Sequence, residues 1–415
     1  MKISVITPTH LKNAFITELY YSLKYQTHQD WEWIIFLNGG AVPGQIDDIV
    51  RNDSRVKIHT SIDPNTNVGF NKNKAFHLGT GEVLVELDHD DLLTEECLEE
   101  LVKAYQDPSV GFVYSDNAMW YPGQENLNAF TPECGWTSKV IEWDGKKLIA
   151  HDSFEPSSRA LSFIWYSPDH VRSWRTSVYR EIGGHNPELS VCDDHELMIR
   201  TYLKTKMYHI PKVLYIYRVT GQNTYLLRNQ QIQETTVALF KQYAWDLACK
   251  DARDQGLHIV ELGGGINPKE GCNINLDLEE GNFRWDLNNG IPLDDNSVGV
   301  IYASHILEHL HDKHKILSEI HRVLVDGGWA FIQVPSTDGR GAFQDPTHVS
   351  YWNENCFWYY TDKTYSKFIR NDKIKFQSFR LETFWWEPRE INVACTDAWL
   401  CAVKSDKRRP HLLRI

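Results

Sequence analysis

The chain has 415 residues, 42% of them hydrophobic and 12% aromatic, and a net charge of -13. This length exceeds what a single hydrophobic core usually supports, so it predicts two domains, and the apolar content excludes a disordered chain. The acidic balance excludes a protein that grips nucleic acid by neutralising phosphates, which needs clustered Lys and Arg.

The opening MKISVITPTH predicts a strand from the third residue and leaves no room for the apolar core of a signal peptide. Apolar runs at 3–6, 33–37, 56–59 and 83–87 alternate with helical patterns at 17–26 and 71–78, the signature of βαβ units around a mainly parallel sheet. After Asp91 the spacing predicts a helix capped by Thr94, with Glu95 and Glu96 in its first turn and Leu98, Leu101, Val102 and Tyr105 on one face. Residues 118–165, with Trp120, Trp136, Trp143 and Trp165 but no clean period, are expected to form an inserted or acceptor-side region. The pattern turns helical without strands at 226–255, and 259–262 opens a second alternating series that ends in aromatic-rich strands near 379–386, with a domain boundary near 250. In that series, Ile316, Leu317, Ile320, Val323 and Leu324 predict the core face of a helix over 313–325. The basic stretch 404–409 is read as a solvated tail. No run approaches the roughly 18 apolar residues of a membrane span. Eight Cys without CxxC spacing predict reduced thiols, and together these features point to a cytoplasmic protein.

The strongest motif is LDHDD at 87–91, at the end of the apolar run VLVEL. Asp88 and Asp90 stand two residues apart at a strand end, so their carboxylates are expected on the same side, able to meet one divalent cation. Oxygen ligands select Mg or Mn. The structural alternative is an N-cap and acidic first turn for the following helix.

Taken together, ISVITPT, WEWIIFLNGG at 31–40, NVGFNKNKAFHLGTGEVLVELDHDD at 67–91, and the later WRTSVYREIGGHN and CDDHELMIR resemble the family 2 glycosyltransferases of GT-A fold over about 225 residues. The resemblance implies that Pro8, Thr9 and Asn38 line the nucleotide pocket and that Lys72 lies near the diphosphate. It further implies that Asp88 holds the ribose side and helps ligate the metal, and that Asp90 is the principal ligand. Asp194 matches the family's catalytic aspartate, which makes the reaction inverting; Asp193 and Glu196 are the nearby competitors for that role, and the structural alternative is an acidic helix start with Leu197 as its buried residue. Asn38 stands where many relatives carry an aspartate, and Thr220 lies near where relatives show a histidine.

Residues 258–336 resemble a class I methyltransferase dependent on S-adenosylmethionine, through IVELGGGINPKEGCNINLDL, RWDLNNGIPLDDNSVGVIYASHILEHL and ILSEIHRVLVDGGWAFIQVPS, followed by AFQDPTHVSYW. The resemblance implies a Rossmann-like domain in which Glu261, Gly263, Gly265, Asp277, Asp286 and His305 face the cofactor. Gly264 completes the glycine turn. Only residues 266–272 separate that turn from the next strand, too few for a crossover helix, so the first helix is expected to be missing or reduced. Gly299 replaces a common aspartate and Asp326 a common proline. His305, Glu308 and His309 are read as a helix start beside the cofactor rather than a metal site, and Asp345 and His348 as acceptor contacts, a general base or a structural loop.

The expected architecture is thus α/β in two domains, with GT-A over 1–225, a helical linker over 226–255 and a methyltransferase-like domain over 256–415. Two functional readings follow. In one, a bifunctional enzyme of polysaccharide biosynthesis transfers a sugar from a nucleotide-diphosphate sugar to a glycan acceptor and then methylates a glycan hydroxyl, fusion raising the local concentration of the shared acceptor. In the other, the chain is a glycosyltransferase whose second domain is a binding or assembly module.

Overall fold

A computed structural model describes residues 1–405 apart from 13, 66, 125–135, 165 and 372. Trp165 and residues 406–409 of the basic tail therefore lie outside the described residues. The chain divides into two compact α/β units, residues 1–244 and 245–415.

The first unit is built on β1 (Ile3–Thr9), β2 (Trp31–Leu37), β3 (Val56–Thr60), β4 (Val83–Glu86), β5 (Leu92–Leu93), β6 (Val110–Trp120), β7 (Ser138–Trp143), β8 (Lys146–His151), β9 (Arg172–Arg175) and β10 (Lys206–Arg218). Their order is β3-β2-β1-β4-β9-β6-β10-β5, with the β7–β8 hairpin attached to β6. Strands β1 to β4 run parallel, joined by the helices Ile16–Lys24 and Val68–His77, whereas β9 is antiparallel to both β4 and β6. The near-continuous apolar runs are explained by burial on both faces of the sheet: every residue of β2 is buried, and Trp33 donates from its indole to Thr7, whose hydroxyl donates to the Leu87 carbonyl.

Two sequence expectations are corrected here. Thr94 caps no helix: the helix is Cys97–Ala104, with Glu99 and Glu100 in its first turn. Leu92 and Leu93 pair instead with Ile216 and Tyr215 of β10, and the Thr94 amide bonds the Leu214 carbonyl, so sheet pairing delays the helix by a few residues. Strand β4 also stops at Glu86, which places Asp88 and Asp90 in the turn beyond it rather than on the strand.

The second unit contains β11 (His258–Leu262), β12 (Ile274–Asp277), β13 (Phe283–Arg284), β14 (Val298–Ser304), β15 (Leu324–Pro335), β16 (Phe376–Trp385) and β17 (Ala394–Ala402), ordered β13-β12-β11-β14-β15-β17-β16. The strands from β13 to β15 are parallel; β17 and β16 close the sheet antiparallel. No helix lies between β11 and β12, as the short spacing requires. The helix Lys313–Val323 is capped by the Asp312 side chain and buries Ile316, Leu317, Ile320 and Val323; Leu324, expected on that helix, already begins β15.

Both departures noted in this half have packing reasons. A Cβ on Gly299 would lie 2.5 Å from the Ala252 Cβ, so the aspartate of relatives cannot fit beside the helix Asn229–Asp254. Asp326 accepts from the Lys404 amide and the Ser405 hydroxyl, 2.9 Å each, and pins the chain after β17. The seven described cysteines are free thiols, and no helix among the described residues is long and apolar enough to cross a membrane.

Candidate active site

In a parallel sheet the carboxyl ends of the strands share one edge, and the loops leaving them form the natural crevice. Pro8 and Thr9 end β1, Asn38 follows β2, and Asp88 and Asp90 follow β4. Lys72 comes from the helix Val68–His77 and Asp194 from the first turn of the helix Asp193–Lys204. All seven residues line one cavity of about 440 Å³, a volume ordinary for a small-molecule site.

The cavity is organised by charge. Lys72 donates to Glu86, its Nζ lying 4.0 Å from Asp88 Oδ1. Glu86 is fully buried and lies 3.8 Å from Arg172, which in turn donates to Asp194 Oδ2 at 2.5 Å. An ionised carboxylate inside a strand is tolerable only with such partners. The result is an alternating chain, Asp88–Lys72–Glu86–Arg172–Asp194, in which all but the fully buried Glu86 line the cavity. Burial alone would raise the Asp194 carboxyl, but Arg172 and Lys72 outweigh it and hold the group below its usual range. Asp193 is 3% exposed, and burial pushes it up to about 7. Glu196 is engaged by Arg200 and Tyr243. Asp193 and Asp194 both line the cavity, and of the two Asp194 is the one whose ionised form its cationic neighbours favour.

Burial, reinforced by the charge of Asp88, pushes Asp90 up to about 7. Two carboxylates this close resist joint ionisation, and a divalent cation relieves that conflict, so the pair suits a hard metal ion. The third acid of the motif does something else: Asp91 is buried and accepts from the Tyr215 hydroxyl at 2.8 Å and the Arg218 amide at 2.7 Å, tying the turn to β10. The Thr9 hydroxyl meets His89 Nδ1 at 2.8 Å, which steadies the turn from the β1 side. Thr220, near the position of the relatives' histidine, also lines the cavity.

Arg172, Asp169 and His170, which also line the cavity, and the buried Glu86 do not stand out in the sequence as site residues. Glu86 alone carried a signal, being a charge in the middle of an apolar run, and it demanded a cationic partner. Another missed feature is Cys192, a cavity residue with left-handed backbone (φ 57) directly before Asp193, a conformation that costs free energy and clusters at functional sites.

In the second unit, the glycine turn after β11 is pinned to β12. The Gly264 amide bonds Asn275 at 3.0 Å, the Gly265 amide bonds Asp277 Oδ2 at 3.1 Å, and Gly263 has φ 71 with Ile306 filling the place of a Cβ. Asp277 also accepts from the Glu279 and Glu280 amides, which with Gly265 lower its pKa. Glu261 is buried and accepts from the Lys269 amide. Asp286 caps a short turn at Asn288. His305, at the end of β14, has φ 54 and places Nε2 3.1 Å from Gln333. The glycine turn and Asp277 thus sit together at the carboxyl edge of β11 and β12, a cradle suited to a nucleoside-containing cofactor, while Asp286 is occupied in local structure. Asp345 and His348 lie on the loop before Trp352; His348 is nearly buried, whereas Asp345 is half-exposed. The HILEH element forms a short turn, Leu307–His309, rather than the start of the helix that follows at Lys313.

Residues 4–162 match the family described as Glycosyl transferase family 2, and residues 268–332 match the one described as Methyltransferase domain. The chain is 24% identical over 228 residues to the "Uncharacterized protein y4gI" of Sinorhizobium fredii, covering 52% of this chain and 22% of that protein. It is 22% identical over 223 residues to the "O-antigen biosynthesis protein RfbC" of Myxococcus xanthus, covering 51% and 15%. The matched stretch is therefore less than a quarter of either curated relative. Among solved structures, S. aureus TarS is similar over 54% of this chain and 38% of that chain, at 20% identity and a TM-score of 0.40. The mannosyltransferase PcManGT from Pyrobaculum calidifontis, solved with GDP-Man and Mn2+, is similar over 61% and 75%, at 15% identity and a TM-score of 0.40. The chain thus carries a Glycosyl transferase family 2 domain, matched over residues 4–162, followed by a methyltransferase domain, matched over residues 268–332.

Proposed function

We propose that residues 1–225 are an inverting, metal-dependent glycosyltransferase that moves a sugar from a nucleoside-diphosphate donor to a glycan hydroxyl. Residues 226–255 are a helical linker, and residues 256–415 methylate a glycan hydroxyl with S-adenosylmethionine. The observation that carries the first assignment is the convergence of Pro8, Thr9, Asn38, Lys72, Asp88, Asp90 and Asp194 on one cavity at the carboxyl edge of the parallel strands. A cytoplasmic location belongs to the same proposal.

In the transfer, the acceptor oxygen bonds to the anomeric carbon while the bond from that carbon to the diphosphate oxygen breaks, and attack from the opposite face inverts the centre. Asp194 takes the acceptor proton, and its bond to Arg172 fixes the orientation from which it does so. Pro8, Thr9 and Asn38 receive the nucleoside, Asp88 its ribose side. Lys72, held between Glu86 and Asp88, adds positive potential where the diphosphate lies. Asp90 and Asp88 would hold a divalent cation, Mn or Mg, which when bound would offset the charge that develops on the departing nucleoside diphosphate. The test is release of nucleoside diphosphate from a panel of nucleotide sugars. We expect turnover of at least one of them with Mn2+ and none after chelation; equal turnover under both conditions contradicts the reading.

In the second domain, the backbone of the glycine turn and Asp277 receive S-adenosylmethionine, whose sulfonium supplies the methyl group. Thermal unfolding with S-adenosylhomocysteine separates the two readings of this domain. At about 100 times its dissociation constant, a bound ligand stabilises by roughly 2.7 kcal/mol, a rise of about 5–11 °C for a domain of this size. That rise is the expected result; no rise and no calorimetric binding leave a binding or assembly module.

A further inference from the structure

Glu308 is 2% exposed, and neither of its carboxylate oxygens accepts a hydrogen bond. Burying an ionised carboxylate without compensation is strongly unfavourable. What faces it are imidazoles, that of His305 and those of His309 and His348. His348 Nε2 lies 4.0 Å from Glu308 Oε1, and one ligand atom each from Glu308, His309 and His348 falls within 4.8 Å of the others. The remaining ring nitrogens are already used: His348 Nδ1 is 2.9 Å from the Ala342 carbonyl, and His309 Nδ1 is 3.2 Å from the Thr347 carbonyl. A carbonyl oxygen only accepts, so each Nδ1 presents its N–H to a carbonyl, and Nε2 is the ring nitrogen left to ligate. A carboxylate and two imidazoles then share one small volume, with the His305 ring, 3.5 Å from Glu308 Oε1, as the donor that also faces the carboxylate.

We propose that Glu308, His309 and His348 bind a divalent transition-metal cation, in a site separate from Asp88 and Asp90. Two imidazoles and one carboxylate favour zinc, iron(II) or nickel over magnesium. The Nδ1-to-carbonyl bonds are the outer contacts by which metal-bound histidines are usually oriented. Ligand atoms around a tetrahedral ion with bonds of about 2.0–2.1 Å stand roughly 3.3 Å apart, so side-chain adjustments of about 1 Å close the site. Asp345 Oδ2, 3.9 Å from His348 Nε2, is the nearest further oxygen, and His305 Nδ1, 3.5 Å from Glu308 Oε1, is the competing partner for the carboxylate.

The test uses the full chain, stripped of metal and titrated with Co2+, with visible absorption reporting imidazole coordination. The Asp88→Asn/Asp90→Asn double variant isolates the second site, and we expect it to retain one equivalent of Co2+. Adding His309→Ala or His348→Ala should weaken that binding at least tenfold, since losing even an outer-shell partner costs about 10–100-fold. Circular dichroism checks that each variant folds. Because replacing the nearly buried His348 can unfold the domain, a second measurement needs no substitution: Zn2+ should protect His309 from diethyl pyrocarbonate, read by mass spectrometry. Absence of Co2+ uptake in the double variant, uptake unchanged by His309→Ala, or no protection by Zn2+ overturns the site and leaves Glu308 compensated by the His305 imidazole.

Discussion

Replacing Asp90 by asparagine is expected to lower metal-dependent sugar transfer by about 10³-fold or more, which corresponds to roughly 4 kcal/mol of lost transition-state stabilisation. The reasoning starts from the turn after β4, where two carboxylates share a largely buried pocket and burial with the neighbouring Asp88 charge pushes Asp90 up to about 7. An asparagine keeps the shape of the turn and removes one ligand charge. The fold should survive, because the structural bonds of this turn belong to Asp91 and to the Asp90 backbone carbonyl, which accepts from Arg218 at 2.7 Å. The expected signature is a raised Mn2+ requirement, with partial recovery at high Mn2+. Initial rates against Mn2+ concentration read it directly, and activity equal to the parent at low Mn2+ contradicts the assignment.

Asp194→Asn is expected to fail differently. A general base contributes about 10²–10⁴-fold, so kcat should fall by roughly 10³ while nucleotide binding stays within a few-fold. Asparagine can still accept from Arg172, so little stability is lost. Alanine leaves the Arg172 guanidinium, which is 1% exposed, with the Pro168 and Tyr166 carbonyls and a carboxylate, Glu86, no nearer than 3.8 Å, and is expected to cost about 3 kcal/mol as well. Comparing the two variants by rate and by denaturant midpoint separates the chemical role from the structural one. A normal kcat for Asp194→Asn shifts the base to a neighbouring group.

Much of this arrangement was legible in the sequence because strands buried on both faces leave continuous apolar runs, and the residues that end those runs gather at one edge. The LDHDD turn is readable for that reason, whereas Pro8 and Asn38 follow from the resemblance to family 2 glycosyltransferases. What the local pattern conceals is pairing over long separations. Thr94 reads as a cap until β10 claims Leu92 and Leu93. Arg172 is invisible as a site residue until Glu86, 86 positions earlier in the chain, is found buried beside it. The same holds for Glu308 and His348, which no spacing rule connects across 40 residues, and for Gly299, whose departure from relatives is a matter of contact with Ala252.

The central claim is that the first domain binds a nucleoside diphosphate through a metal held by Asp88 and Asp90, and calorimetric titration tests it most directly. UDP, GDP, CDP and dTDP would each be titrated into the full chain with Mn2+ and again with chelator. The account predicts that at least one binds at least tenfold more tightly with Mn2+, and that Asp90→Asn abolishes the gain. Binding of equal strength with and without metal, or no binding of any of the four, would contradict it.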